Sequence, residues 1–149
     1  AISTNIYGPH DRFDPTYGHV VPSLIWKFAN AEKSGTAVEV WGDGSPTRDF
    51  IYASDVAQGL CIMLEHGSGA YNLATGKAHT IRELVSIISR HFPDIEYRWD
   101  TSKPLGQKCR SYDIARLSQL GFKSQHTLEM GIRETVQWIR THWDSIRTA

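Results

Sequence analysis

The fold class of this chain is decided by a stretch that reads Val38-Glu39-Val40-Trp41-Gly42-Asp43-Gly44-Ser45-Pro46-Thr47-Arg48-Asp49-Phe50-Ile51-Tyr52. Residues 38–41 and 48–52 are rich in the β-branched and aromatic side chains that favour strands. Residues 42–46 consist of glycine, aspartate, serine and proline, which are turn formers. The stretch therefore predicts two strands joined by a turn, as a hairpin or a bulged pair.

Helical periodicity flanks these two strands. Apolar residues recur at helical spacing over 19–33, and Pro22 fits the first turn of that helix. After the second strand, Ser54 or Asp55 is expected to cap another helix. The side chains that this helix is predicted to bury are Val56, Leu60, Cys61, Met63 and Leu64.

The rest of the chain alternates in the same way. Thr80 and Glu83 have the spacing of a capping box, which predicts a helix beginning at this point. The other predicted elements are strands at 1–5, 70–74 and 95–99, a short helix between Asp113 and Gly121, and a final helix over 127–143. The fold class is therefore a small mixed α/β unit, without the run of βαβ repeats that builds a doubly wound sheet.

Composition excludes several classes of protein. Of the 149 residues, 40% are hydrophobic and 21% charged, which is typical of a globular domain and not of a disordered chain. The 16 basic residues equal the 16 acidic ones, which argues against general nucleic-acid binding. The sequence has no membrane-spanning run and no metal-ligand spacing around its two cysteines. We expect a cytoplasmic protein without a metal, a nucleic acid or a membrane as partner.

Several catalytic motifs are missing from the chain. No glycine-rich G-x-G-x-x-G or G-x-x-G-x-x-G turn follows a strand, and no tyrosine is followed four residues later by lysine. The sequence also opens directly in the predicted strand at 1–5, which runs into a loop over 5–17. We therefore expect a piece of a longer chain that lacks the means to hold a dinucleotide alone.

Five blocks carry a resemblance to a known family. They lie at residues 5–11 (Asn5-Ile6-Tyr7-Gly8-Pro9-His10-Asp11), 19–24, 40–50, 80–84 and 102–104. In this order they resemble the extended short-chain dehydrogenases of the NAD-dependent epimerase/dehydratase family that act on nucleotide sugars. Within that family they are most similar to the enzymes that epimerise and reduce GDP-4-keto-6-deoxymannose with NADP.

The resemblance implies a division of the chain. Residues 1–18 would be the last strand and a site-lining loop of a Rossmann half that the chain lacks. Residues 19–149 would be the carboxy-terminal domain that binds the nucleotide sugar, with a GDP-linked sugar preferred. The parent polypeptide would be an enzyme, and the chain alone would be inactive.

The resemblance also implies residue roles. Residues Ser3, Thr4, Asn5 and Ile6 would lie beside the nicotinamide end of NADP, which the absent half would mainly bind. His19 would contact the cofactor and act as the general acid, because imidazole exchanges protons near neutral pH. The sugar nucleotide would be contacted by Lys27, Trp41, Arg48 and Lys103.

One segment departs from the family pattern and keeps alternatives open. Residues 105–110 lack the acidic residue and the basic pair that follow the lysine–proline of the resembling enzymes. The chain could therefore belong to a UDP- or dTDP-sugar 4-epimerase or a dehydratase, since a fold does not fix a reaction. A third reading is a non-catalytic module that binds a nucleotide sugar or a protein. Sequence leaves the oligomeric state undetermined.

Overall fold

The computed structural model describes residues 1–146, in which short strands alternate with helices. The strands are β1 (Ile2–Ser3), β2 (Asn5–Tyr7), β3 (Val38–Trp41), β4 (Thr47–Tyr52), β5 (Asn72–Leu73), β6 (Ala78–Thr80) and β7 (Tyr97–Asp100). The helices are α1 (Val20–Ser34), α2 (Ala53–His66), α3 (Ile81–Ser89), α4 (Ala115–Gln119) and α5 (Leu128–His142), and a 3-10 turn follows at Trp143–Ser145. The predicted mixed α/β class is confirmed.

The predicted hairpin between β3 and β4 is wrong. β3 pairs in parallel with β7, whereas β4 lies between β2, which is parallel to it, and β6, which is antiparallel. The intervening turn is held by other partners: the Gly42 amide donates to the Asp100 carbonyl at 2.8 Å, and the Arg82 amide donates to the Gly44 carbonyl at 3.0 Å. These bonds attach the turn to the end of β7 and the start of α3. The strands β3 and β4 therefore belong to different sheets.

Three helices form the main core with the strands. Apolar faces of α1, α3 and α5 meet at fully buried side chains such as Ile25, Phe28, Ile88, Ile132 and Ile139. The helix capping box is confirmed, since the Thr80 hydroxyl accepts from the Glu83 amide and the Glu83 carboxylate accepts from the Thr80 amide. A second, smaller cluster lies under α2 and α4, around Leu73, Leu117 and Phe122.

Helix α2 corrects two predictions. Its N-cap is Tyr52, with no side-chain cap, and Asp55 lies inside the first turn with its carboxylate directed at residues 124–126. The helix buries the narrow stripe of Asp55, Val56 and Gly59, where a Cβ on Gly59 would lie 2.4 Å from Leu73. Because α2 packs against Leu73 through this narrow stripe, its other apolar residues face solvent. Leu60, Cys61 and Leu64 are therefore exposed rather than buried.

No helix within residues 1–146 is long and apolar enough to span a membrane.

Candidate functional site

Two lysines bracket one exposed tryptophan. Trp41 ends β3 with 59% of its surface exposed. The Lys27 ammonium, on α1, lies 5.4 Å from the centre of its ring, and the Lys103 ammonium, from the loop after β7, lies 5.7 Å away. Helix, strand and loop thus bring three residues that are far apart in sequence to one surface.

The loop over residues 101–109 connects Trp41 to Arg48. Trp41 is in register with Asp100, the Lys103 amide donates to the Asp100 carbonyl at 3.3 Å, and Asp100 accepts from Ser102. At its other end the Gln107 carbonyl accepts from Nη1 of Arg48 at 2.7 Å. The loop therefore runs from beside Trp41 to the Arg48 guanidinium. The two hydrogen bonds from Ser102 also lower the pKa of the Asp100 carboxyl.

The charge of this surface is positive. Within the described part of the chain, Lys27, Arg48 and Lys103 form no salt bridge with a carboxylate. Lys27 donates to the Glu39 carbonyl at 3.1 Å, and partial burial lowers the pKa of its ammonium despite the charge of Glu39. Two ammonium groups beside an aromatic face, with the Arg48 guanidinium at the other end of the connecting loop, can bind a phosphorylated ligand with a planar group.

His19 lies at the amino-terminal end of α1, whereas Lys27 lies at the middle of the helix. His19 is the N-cap residue of α1 but makes no side-chain cap bond, and its side chain is exposed. With Gly8, His10 and Asp11 it borders a cavity of about 240 Å³. Burial raises the pKa of Asp11, although the Arg12 amide and the charge of His19 oppose this. The imidazole is thus available to a ligand in the cavity.

The remaining residues predicted to contact a cofactor differ in availability. Thr4 and Asn5 both donate from their side chains to the Asp49 carbonyl at 2.8 Å, which ties β2 to β4. The Ser3 hydroxyl is directed at the Leu73 carbonyl, 3.5 Å away. Ile6 is 39% exposed and borders the same cavity as His19. Of the five residues predicted to contact the cofactor, only Ile6 and His19 are therefore exposed.

The structure contains a polar cluster around the buried Asp55 carboxylate that was not predicted from the sequence. Asp55 accepts from the His126 ring, the Ser124 hydroxyl and the amides of residues 125 and 126. The far side of the His126 ring faces Glu134, which accepts from the Tyr52 hydroxyl at 2.9 Å. Sequence gave no signal for this cluster, because its members lie up to 82 positions apart.

The electrostatics of the cluster are set by these bonds. Burial alone would raise the pKa of Asp55, but hydrogen bonds from Ser124 and His126 hold it below its ordinary value. Burial and the bond to Glu134 raise the pKa of Tyr52 to about 12. Within residues 1–146, no group of three or more His, Cys, Asp or Glu side chains is arranged to hold a metal ion.

Known proteins resemble this chain over most of its length. The family model of the NAD dependent epimerase/dehydratase family matches residues 1–74. Probable GDP-L-fucose synthase 1 of Oryza sativa subsp. japonica is 37% identical over 142 residues, covering 93% of this chain and 43% of that protein.

Two solved structures share the fold. A GDP-L-fucose synthetase from Naegleria fowleri bound to NADP superposes with a TM-score of 0.93 at 31% identity, over 99% of this chain and 48% of that one. A UDP-N-acetylglucosamine 4-epimerase from Methanobrevibacter ruminantium, in complex with UDP-N-acetylmuramic acid, has a TM-score of 0.80 at 32% identity, over 94% and 45% of the two chains. The chain thus spans about half the length of the relatives it matches.

Proposed function

Because the chain belongs to the NAD dependent epimerase/dehydratase family, we propose that it is the substrate-recognising portion of an NADP-dependent nucleotide-sugar epimerase/reductase. The proposed substrate is GDP-4-keto-6-deoxymannose, which is converted to GDP-L-fucose. The observation that carries the proposal is the pair of lysine ammonium groups 5.4 and 5.7 Å from the exposed Trp41 ring, which the loop over residues 101–109 connects to Arg48.

Each of these side chains has a defined task in the proposal. The ring of Trp41 offers a face on which the planar guanine can stack. Arg48 presents a planar fork of donors that fits diphosphate oxygens, and its present partners are backbone carbonyls that a phosphate would outcompete. Lys27 and Lys103 supply point charges beside the phosphates. The group therefore recognises the nucleotide, which leaves the sugar to extend towards His19.

The cofactor fits this chain only in part. The cavity beside Ile6 and His19 measures about 240 Å³, less than the roughly 300–1,000 Å³ of usual ligand pockets. This volume suits one end of NADP, and we propose that residues 3–6 and His19 border the nicotinamide, which supplies the hydride when bound. His19 would hold the proton exchanged at the sugar carbon.

An exposed apolar side supports the proposal that a Rossmann half completes the enzyme. Ile2 is 53% and Ile6 39% exposed, and Leu60 and Leu64 on α2 are also exposed. β1 is paired only with β5, in parallel, within the described residues. Because parallel sheets occur almost only with both faces covered, this side suits packing against a cofactor-binding half to which residues 1–18 belong.

A second candidate is a sibling enzyme that acts on a UDP- or dTDP-linked sugar. The observation that favours it is the loop at 105–110, whose residues are all exposed beside Arg48 and depart from the GDP-sugar pattern. Changes in this loop alter the nucleotide surface without altering the fold.

A nucleotide panel tests the proposal. The polypeptide encoded by the whole gene is assayed with NADPH and GDP-4-keto-6-deoxymannose, and its intact mass is compared with that of the 149-residue chain. GDP should inhibit at concentrations about tenfold or more below those of UDP and dTDP. A preference for UDP or dTDP would support the second candidate, and nucleotide-sugar binding without turnover would indicate a non-catalytic module.

A further inference from the structure

A second cavity shares no lining residue with the proposed nucleotide surface. It measures about 360 Å³ and is formed by the segment around residues 75–79, the segment at 122–129 and one side of α4. None of Lys27, Trp41, Arg48 and Lys103 lines it. Its volume lies within the range of small-molecule sites, roughly 300–1,000 Å³.

The floor of this cavity is apolar. Phe50, Phe122 and Leu128 are each at most 6% exposed and line its base. Ile114 adds a partly buried aliphatic wall from the residue before α4. These side chains suit the ring of a small ligand, because aromatic walls bind planar apolar groups without a need for hydrogen bonds.

The rim of the cavity carries two free cations. Lys77 and Lys123 are exposed, and within residues 1–146 neither ammonium group has a carboxylate or hydrogen-bond partner. Glu129 is the one carboxylate among the described lining residues, and it lies in the first turn of α5. The amino terminus of this fifteen-residue helix also opens at the cavity, and its dipole favours an anion.

We propose that this cavity binds a small aromatic phosphate monoester. Two unpaired ammonium groups match a dianion better than a carboxylate, and a phosphate monoester is close to dianionic at neutral pH, since its second pKa is about 6. The phosphate lies between Lys77 and Lys123, and the ring rests on Phe50 and Phe122. The inference does not depend on the proposed function, because the two surfaces share no residue.

Phenyl phosphate is the probe that tests the site. In an amide NMR titration of the 149-residue chain, saturable shifts should be confined to Phe50 and to residues 75–79, 114–118 and 122–129. Inorganic phosphate, which lacks the ring, and phenol, which lacks the charge, should each bind about tenfold or more weakly. The double variant Lys77→Gln/Lys123→Gln should lose about tenfold or more in affinity, because both charge-assisted contacts go.

A matched control and a blocking variant make the result decisive. Lys33→Gln removes an exposed lysine at the end of α1 and should bind phenyl phosphate as the parent does. Ser118→Trp fills the exposed mouth without changing charge and should abolish binding. The proposal is overturned if no saturable shift occurs below about 10 mM, if the shifts map to Trp41 and Arg48, or if the double variant binds unchanged.

Discussion

Nδ1 of His126 lies 2.8 Å from Oδ1 of Asp55, a carboxylate that is only 2% exposed. The other carboxylate oxygen accepts from the Ser124 hydroxyl at 2.6 Å and from the amides of residues 125 and 126. Asp55 thereby fastens the loop before α5 to the first turn of α2. This single side chain connects two segments about seventy positions apart.

Asp55→Asn should destabilise the chain by about 2–3 kcal/mol, because an amide cannot accept all of the donors that meet the buried carboxylate. Urea unfolding followed by far-UV circular dichroism measures the change in the free energy of unfolding. Asp94→Asn, at an exposed aspartate in the turn after α3, is the matched control and should change stability by less than about 0.5 kcal/mol. Equal effects of the two substitutions would contradict the role of Asp55.

The stabilising effect of Asp55 should also depend on pH. The folded pKa of Asp55 lies below the unfolded value of 3.8, so its contribution is present above that value and is lost as pH falls through the folded pKa. The stability difference between the parent and Asp55→Asn should therefore shrink as the pH falls below about 4. Denaturant titrations of both proteins across this range provide the measurement, and a difference that does not change with pH would count against it.

Trp41→Leu should weaken GDP binding about tenfold while leaving stability almost unchanged. The ring is 59% exposed, so its loss removes a stacking surface rather than core packing. Isothermal titration calorimetry with GDP gives the affinity, and thermal unfolding gives the stability. Trp143→Leu serves as the control tryptophan for GDP binding, because Trp143 stacks on Trp26 in the 3-10 turn after α5 and is not among the proposed nucleotide contacts. A large loss of stability in Trp41→Leu would mean that the ring is structural.

Arg48→Lys should also weaken GDP binding about tenfold, even though the positive charge is retained. Lysine cannot reproduce the planar fork that spans two phosphate oxygens. At Lys103, in contrast, exchange of the two cations should have little effect. Lys103→Arg keeps a cation above Trp41 and should bind GDP within about threefold of the parent. Isothermal titration calorimetry on the two variants measures their affinities for GDP. If Arg48→Lys binds GDP as tightly as the parent, the planar guanidinium of Arg48 is not needed for binding.

Gly131→Ala should destabilise the chain by about 1–3 kcal/mol, although alanine is the better helix former. A Cβ at this position of α5 would lie 2.2 Å from the Tyr7 hydroxyl and 2.9 Å from the Tyr52 ring. Both rings are buried, so neither can move aside freely. Gln137→Ala, on the exposed side of the same helix, should be neutral or slightly stabilising. Urea unfolding of both variants tests the steric argument, which fails if Gly131→Ala is as stable as the parent.

The local elements were accessible from sequence wherever one short-range rule dominates. The α1 and α5 helices follow apolar periodicity, and the start of α3 follows the reciprocal bonds of Thr80 and Glu83. The same rules failed at α2. Periodicity predicts Leu60 and Leu64 to be buried, but the direction in which an apolar side faces depends on what packs against it, and here Gly59 against Leu73 decides it.

The sequence alone determined the α/β class, most helix positions and, through the resemblance of five blocks, the family to which the chain belongs. Tertiary structure decided which strands pair, where Asp55 points and how Lys27, Lys103 and Trp41 meet. The physical reason is range: helix caps and periodicity depend on residues within one or two turns. Strand pairing and polar clusters depend instead on hydrogen bonds between residues such as Tyr52 and Glu134, which lie 82 positions apart.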